Sequence, residues 1–282
     1  MELKTLLIIT LFYYKTYGIS NENDLTNKFV AEFCVRHELS NILYLCQNCQ
    51  NYGLKNMYKN ITIASKNVEK NTENETLKIL QKSFKKSSTL IVIFNDTQIE
   101  IIKNIFQARN KKNKEFLLLE NNRNLKLRNL QMDLDDDIFI FESLPNRKIQ
   151  IQEVYKLTSV KNVRENDLEV KMDFYGFWDF YHGFSTPFVA KWDRRSDWSG
   201  LHLIVSTLPD TPFVMETVTK DGKLEFNGGT YPEVFLTLQN YFNFTYEIVE
   251  PKDGNYGTFD EDLQEWNGMI NMTKNREIDA SN

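Results

Sequence analysis

The stretch DGNYGTFDEDLQEWNGM, Asp253 to Met269, sets a tyrosine between two glycines, then a run of acids, then a tryptophan heading an apolar segment. Glycines in that pattern permit positive φ or close backbone approach. They hold Tyr256 at a loop tip, which suits contact with a ligand and suits equally a loop packed on its own lobe. Other reactive side chains are sparse. The histidines are His37, His182 and His202, and His202 lies in an apolar strand as a satisfied strand residue rather than a base. No Gly-x-Ser-x-Gly elbow, HExxH pair or spaced carboxylate pair stands out, so an enzyme is not expected. Asp133, Asp135, Asp136 and Asp137 read as a solvated loop before a strand rather than a metal cluster. Asp193, Arg194, Arg195 and Asp197 read as a solvated charge cluster. No glycine-rich phosphate cradle follows the first strand, and no cofactor is expected.

The amino terminus places the chain outside the cytosol. MELKTLLIITLFYYKTYGIS has Lys4, an apolar core from Leu6 to Tyr14 and small residues at Thr16 and Gly18, the pattern of a signal peptide over residues 1–18. No run of about 20 apolar residues follows it. Asn-x-Ser/Thr acceptors occur at Asn60, Asn74, Asn95, Asn243 and Asn271, candidate glycosylation sites in a secreted chain. The three cysteines, Cys34, Cys46 and Cys49, favour a disulfide from Cys34 to one of the other two, the odd one being free or paired with another chain. Zinc is not expected of a lone CxxC without nearby histidines. The formal charge of −5 gives no reason to expect nucleic acid.

The elements that must position these residues alternate. Asp24 to His37 has apolar residues at helical spacing, and NILYLCQ then reads as a buried strand. TLKILQKSFKK and TQIEIIKNIFQARN read as amphipathic helices, and STLIVIFND, EFLLLEN and DIFIFES as buried strands. Strands alternating with helices imply a parallel sheet, so a doubly wound α/β domain is expected over about residues 20–150. RKIQIQEVYKLTS, residues 147–159, alternates in period two and is expected to cross into the second half. The aromatic run DFYGFWDFYHGF, residues 173–184, reads as a packed connector rather than a sugar or lipid site. Then GLHLIVSTL gives a strand, Pro212 breaks it, a glycine turn opens a helix from about Tyr231 to Phe242, and FTYEIV gives another strand. A last helix and strand follow. This is a second parallel α/β lobe, with loops at the carboxyl ends of its strands, where ligands sit.

Residues Gly200 to Ser281 resemble the first chain segment of the ligand-binding domain of ionotropic glutamate receptors. STLPDTPFVM, EFNGGTYPEVFLTLQNYFNFTYEIV, DGNYG, WNGM and REIDAS fall in the family's order at its spacing. VYKLTS, GFWDFYHGF and WDRRSDWSGLHL resemble the segment preceding this domain in insect ionotropic receptors, the divergent chemosensory branch, which carries a reduced periplasmic-binding-protein-like amino-terminal domain. The resemblance implies a ligand-gated cation channel subunit. Its ligand would be an amino acid, acid or amine, and subunits of the family assemble as tetramers. It places Tyr256 over the ligand and Asp210 at the cleft edge, although Asp210 reads first as a turn-former before Pro212.

The implied organisation is a signal peptide over 1–18, an amino-terminal α/β domain over 19–150, an aromatic connector over 151–199, and over 200–282 a partial type II periplasmic-binding-like lobe. In the family, the arginine that grips the ligand carboxylate, the membrane helices, the pore loop and the second lobe lie beyond the position of Asn282, and Arg276 is too early to be that arginine. The expectation is therefore an extracellular fragment that is not itself a channel, secreted or retained when truncated. The alternative is a secreted binding module that pairs with full-length subunits through its amino-terminal domain.

Overall fold

The computed structural model describes residues 22–46, 62–67, 89–94, 97, 99–108, 115–121, 126–164 and 168–282. The expected signal peptide, the TLKILQKSFKK helix, the acceptors Asn60, Asn74 and Asn95, and Cys49 lie outside them, as does the side chain of Cys46. The chain folds as two compact units, Met1–Tyr155 with Lys171–Phe188, and Lys156–Val170 with Val189–Asn282. Among the described residues no helix is long and apolar enough to cross a membrane.

The first unit is built on one sheet of eight strands. β1 (Asn41–Cys46), β2 (Thr62–Asn67), β3 (Thr89–Ile93), β4 (Glu115–Glu120) and β5 (Asp137–Leu144) are parallel, in the order β2-β1-β3-β4-β5. Their continuous apolar runs leave Leu43, Ile91, Leu117 and Phe139 at most 2% exposed, as a parallel sheet covered on both faces requires. Helix α1 (Glu22–Arg36) and helix α2 (Ile99–Ala108) are the described helices of this unit's parallel part.

The strand expected to cross into the second half pairs within the first sheet, and the chain passes to the second unit at its last residue, Lys156. β6 (Lys148–Lys156) turns back antiparallel on β5, with Phe141 opposite Ile151. The reason is the turn LPNRK, in which Asn146 and Arg147 take left-handed φ of 62° and 57°. The aromatic run expected as a packed connector belongs to the sheet itself. Its aromatic residues form β7 (Val170–Asp179) and the short β8 (Gly183–Phe184), which extend the same sheet.

Those aromatics complete the core. On α1, Phe29 lies 5.6 Å from Trp178 and 5.5 Å from Phe141, and Phe33 meets Phe139 edge-on at 5.2 Å. Trp178 is fully buried, and its indole N–H donates to the Glu32 carboxylate at 2.7 Å. Glu32 lies 3.8 Å from the buried Lys28 ammonium, which donates to the Phe180 carbonyl and sits 4.5 Å from the Phe180 ring. Burial lowers the Lys28 pKa and raises that of Glu32, and each is partly restored by the other. Cys34 is a free, fully buried thiol rather than half of a disulfide. It lies on the buried face of α1, inside the aromatic core, and burial pushes its thiol pKa well up.

The second unit has a three-stranded parallel sheet, β12-β9-β15, with β9 (His202–Ser206) at its centre between β12 (Thr245–Val249) and β15 (Ala280–Ser281). Two hairpins, β10 (Thr217–Lys220) with β11 (Lys223–Phe226), and β13 (Phe259–Asp260) with β14 (Glu265–Trp266), project from its loops. The short helices α3 (Val160–Arg164) and α4 (Lys191–Arg194) precede the sheet, and α5 (Thr230–Phe242) and α6 (Gly268–Lys274) connect its strands. Phe235 of α5 packs on Phe244 and Tyr246 at 5.6 and 5.0 Å. Arg195 departs from the expected solvated cluster, being fully buried.

Candidate functional site

Two loops leave the carboxyl ends of β9 and β12, the edge at which ligands of open α/β sheets bind. The first runs through Asp210. The backbones of Asp210 and Val214 exchange hydrogen bonds of 2.8 and 2.9 Å, closing a turn around the cis bond between Thr211 and Pro212. This is the turn-forming role read from the sequence, and it leaves the Asp210 side chain exposed. The Pro212 and Phe213 carbonyls then accept from the Thr230 and Tyr231 N–H groups at the start of α5.

The second loop carries Tyr256, and a clamp fixes it. Asp253 accepts from the Gly268 N–H at 2.9 Å with one carboxylate oxygen and from the Asn255 N–H at 3.2 Å with the other. The Asn255 and Tyr256 carbonyls accept from the Met269 and Ile270 N–H groups, both at 3.1 Å. The Asn267 side chain accepts from the Thr258 N–H at 2.6 Å. The loop thus lies flat on the first turn of α6. That closeness demands glycine at Gly268, where φ is 61° and a Cβ would stand 2.2 Å from the Asn255 carbonyl oxygen.

Tyr256 emerges from this clamp 43% exposed, and its hydroxyl donates to the Leu208 carbonyl at 3.4 Å. Leu208 stands two residues before Asp210, so the structure brings the two loops together. The Tyr256 hydroxyl thus rests on its own lobe, while the residue stays partly exposed. A cavity of about 650 Å³ in this unit is lined by Ile204, Val249, Asp253, Trp266 and Met272 among others, and by neither Tyr256 nor Asp210.

Asp253 is the residue that sequence reasoning passed over. Its signal was an Asp-Gly-Asn start, the pattern of a side chain that bonds its own backbone two residues on. Desolvation alone would raise its pKa, but the hydrogen bonds from the Gly268 and Asn255 N–H groups outweigh it and hold the carboxyl below the usual carboxylate range. A carboxylate with a depressed folded pKa contributes its stabilisation above its unfolded value and loses it as pH falls through the folded value. The Gly268 and Asn255 amide resonances are therefore expected to titrate together, with an inflection below the ordinary aspartate pKa of 3.8. An inflection at or above that value would show that the clamp does not hold in solution.

His202 departs in part from the satisfied strand residue expected: its Nδ1 lies 2.8 Å from the Thr245 hydroxyl, but its buried Nε2 has no hydrogen-bond partner and stands 3.7 Å from Glu247. Among the described residues no cluster of histidine, cysteine or acids is arranged to hold a metal ion. Of the acceptor asparagines described, Asn243 is exposed as the left-handed cap of α5, at φ 62°, and Asn271 lies partly buried in α6, bonded to Asn275 at 3.2 Å.

Residues 201–281 match the family model of the ligated ion channel L-glutamate- and glycine-binding site. The stretch is the one that carries the resemblance read from the sequence. Over 100 residues the chain is 34% identical to glutamate receptor U1 of Xenopus laevis, covering 35% of this chain and 19% of that receptor. Over 95 residues it is 35% identical to the ionotropic glutamate receptor delta-2 of Danio rerio, covering 33% of this chain and 9% of that one. The chain therefore spans a small fraction of the length of these relatives. Among solved structures, it matches the glycine complex of a mutant Mnemiopsis leidyi iGluR ligand-binding domain at 25% identity and TM-score 0.25, covering 28% of this chain and 32% of that one. The D-serine complex of the same domain matches at 27% identity and TM-score 0.24, with the same coverage.

Proposed function

We propose that residues 200–282 form the first segment of an extracellular ligand-binding lobe in a ligand-gated ion channel subunit of the ionotropic receptor kind. Its ligand is a small amino acid, acid or amine, held with an opposing lobe. The two names above that include a ligand, glycine and D-serine, belong to that class. Tyr256 covers the ligand and Asp210 lines the edge of its cleft. The channel works by closure of two lobes on the ligand, so this lobe acts with a second one and with other subunits. The segments VYKLTS, GFWDFYHGF and WDRRSDWSGLHL support a chemosensory branch, and the periplasmic-binding-protein-like reading of the amino-terminal unit goes with it.

The observation that carries the reading is the clamp under Tyr256. It presents a partly exposed tyrosine at the carboxyl edge of a parallel sheet, within residues 201–281. The test is a dose–response measurement on the receptor that contains this segment. Tyr256→Ala is expected to raise the half-maximal ligand concentration about tenfold, a loss of roughly 1.4 kcal/mol. Tyr256→Phe keeps the ring and loses only the bond to Leu208, so it is expected to stay within about threefold of the native value. An unchanged curve for Tyr256→Ala would sink the proposal.

A further inference from the structure

We propose that the cavity of about 650 Å³ in the second unit is a second small-molecule site, which takes an organic cation with an apolar body. Successive side chains of a strand point to opposite faces, so β12 serves two sides. Tyr246 faces α5, where it meets Phe235 at 5.0 Å. Glu247 and Val249 face the other side and line the cavity with Ile204 of β9. There Val249 and Met272 of α6 pack against the cluster of Ile204, Met269 and Ile278. This gives the cavity an apolar floor. Trp266, at the end of β14 and 37% exposed, supplies an aromatic wall, its ring braced on Phe259 at 5.3 Å. A concave site with an apolar floor and a few charged groups is the usual form of a small-molecule pocket. Neither Tyr256 nor Asp210 lines it, so it is distinct from the ligand position proposed above.

The charges choose the sign of the ligand. Four carboxylates line the cavity, on Glu247, Glu250, Asp253 and Glu277, against two cations, Arg164 and Lys252. Arg164 donates to the Arg276 carbonyl at 3.1 Å. Asp253 is committed to the Gly268 and Asn255 N–H groups, and Glu247 lies 3.5 Å from Lys161. Glu250 accepts from the Thr217 hydroxyl at 2.7 Å with one oxygen, and the Glu277 carboxylate has no partner among the described residues. The start of α6 also borders the cavity, at Asn267 and Gly268, but it offers an anion nothing. Its Gly268 and Met269 N–H groups already donate to the Asp253 carboxylate and the Asn255 carbonyl. A cation therefore finds Glu250 and Glu277 as partners and the Trp266 ring as a face. Its apolar body leaves water against Val249 and Met272.

Isothermal titration calorimetry of the secreted chain with phenethylammonium chloride tests this, with phenylacetate as the anion of nearly the same shape. The native chain is expected to bind the ammonium with a Kd below about 1 mM, and phenylacetate at least about tenfold more weakly. Glu277→Gln and Trp266→Ala are each expected to raise the ammonium Kd about fivefold. Tyr256→Ala is expected to leave it within about twofold. Trp266 also braces its hairpin, so if Trp266→Ala fails to fold, Glu277→Gln decides alone by the same fivefold criterion. No binding of the ammonium at millimolar concentration, equal binding of phenylacetate, or a Kd unmoved by Glu277→Gln overturns the proposal. So does a loss in Tyr256→Ala as large as that expected of Glu277→Gln, which would put the amine under Tyr256 and leave the reading of that position standing. An unchanged dose–response curve for Tyr256→Ala in the receptor, by contrast, removes only that reading.

Discussion

Trp178→Ala is expected to lower the stability of the first unit by about 3–5 kcal/mol. The side chain is fully buried between α1 and the sheet, with Phe29 at 5.6 Å. Removing it opens a cavity that the rings around it cannot fill, because Phe29 is already packed on Phe33 at 6.0 Å and on Phe141 at 5.5 Å, and Phe33 on Phe139 at 5.2 Å. It also removes the indole N–H from Glu32, leaving that half-buried carboxylate to Lys28 alone. Trp178→Phe separates the two effects. It refills most of the volume and loses only the donor, so about 1–3 kcal/mol is expected. Urea denaturation followed by far-UV circular dichroism reads both variants. A loss below about 1 kcal/mol for Trp178→Ala would mean that β7 does not pack on α1.

Asp279→Ala is expected to lower the stability of the second unit by about 3 kcal/mol. One carboxylate oxygen accepts from the Val160 N–H at 2.7 Å and the other from the Ile204 N–H at 2.9 Å, while the Asp279 N–H donates to the Ile204 carbonyl at 2.8 Å. Asp279 therefore closes the start of α3 and continues the pairing of β15 onto β9. Each bond to a carboxylate contributes about 1.5–3 kcal/mol, and alanine leaves both N–H groups without an acceptor. Asp279→Asn keeps one acceptor and turns an NH2 toward the other N–H, so an intermediate loss is expected. Hydrogen exchange at the Val160 and Ile204 amides checks the assignment. Native-like protection of both in Asp279→Ala would remove Asp279 from this role.

Much of this architecture was written in local apolar pattern. TLIVI, EFLLLE and DIFIFESL are strands because an uninterrupted β-branched or aromatic run can be buried on both faces of a parallel sheet. The helix over Thr230–Phe242 follows its periodic face and stops at Asn243 in a left-handed cap. What was not legible depended on partners distant in sequence. The run through β7 is aromatic on both faces, with Tyr175 and Trp178 buried and Phe174 and Phe177 exposed, so no period distinguished a strand from a connector. The hairpin at Asn146 and Arg147 lacks glycine, the usual mark of left-handed backbone. Arg195 read as a surface charge because burial of a charge is decided by what packs around it. In the candidate site, the glycines and Tyr256 were legible as a motif. The Asp253 clamp was not, because its main acceptor role spans 15 residues, from the loop to the N–H of Gly268.

The clamp has an electrostatic consequence. A helix start with open N–H groups is a ready receptor for a carboxylate or phosphate. Here the first N–H groups of α6 are taken by Asp253 and by the Asn255 and Tyr256 carbonyls, and those of α5 by the Pro212 and Phe213 carbonyls. Both helix starts beside the candidate site are thus closed to anions by the chain itself. The negative charge of an acidic ligand under Tyr256 would have to be met by a cationic side chain or by solvent.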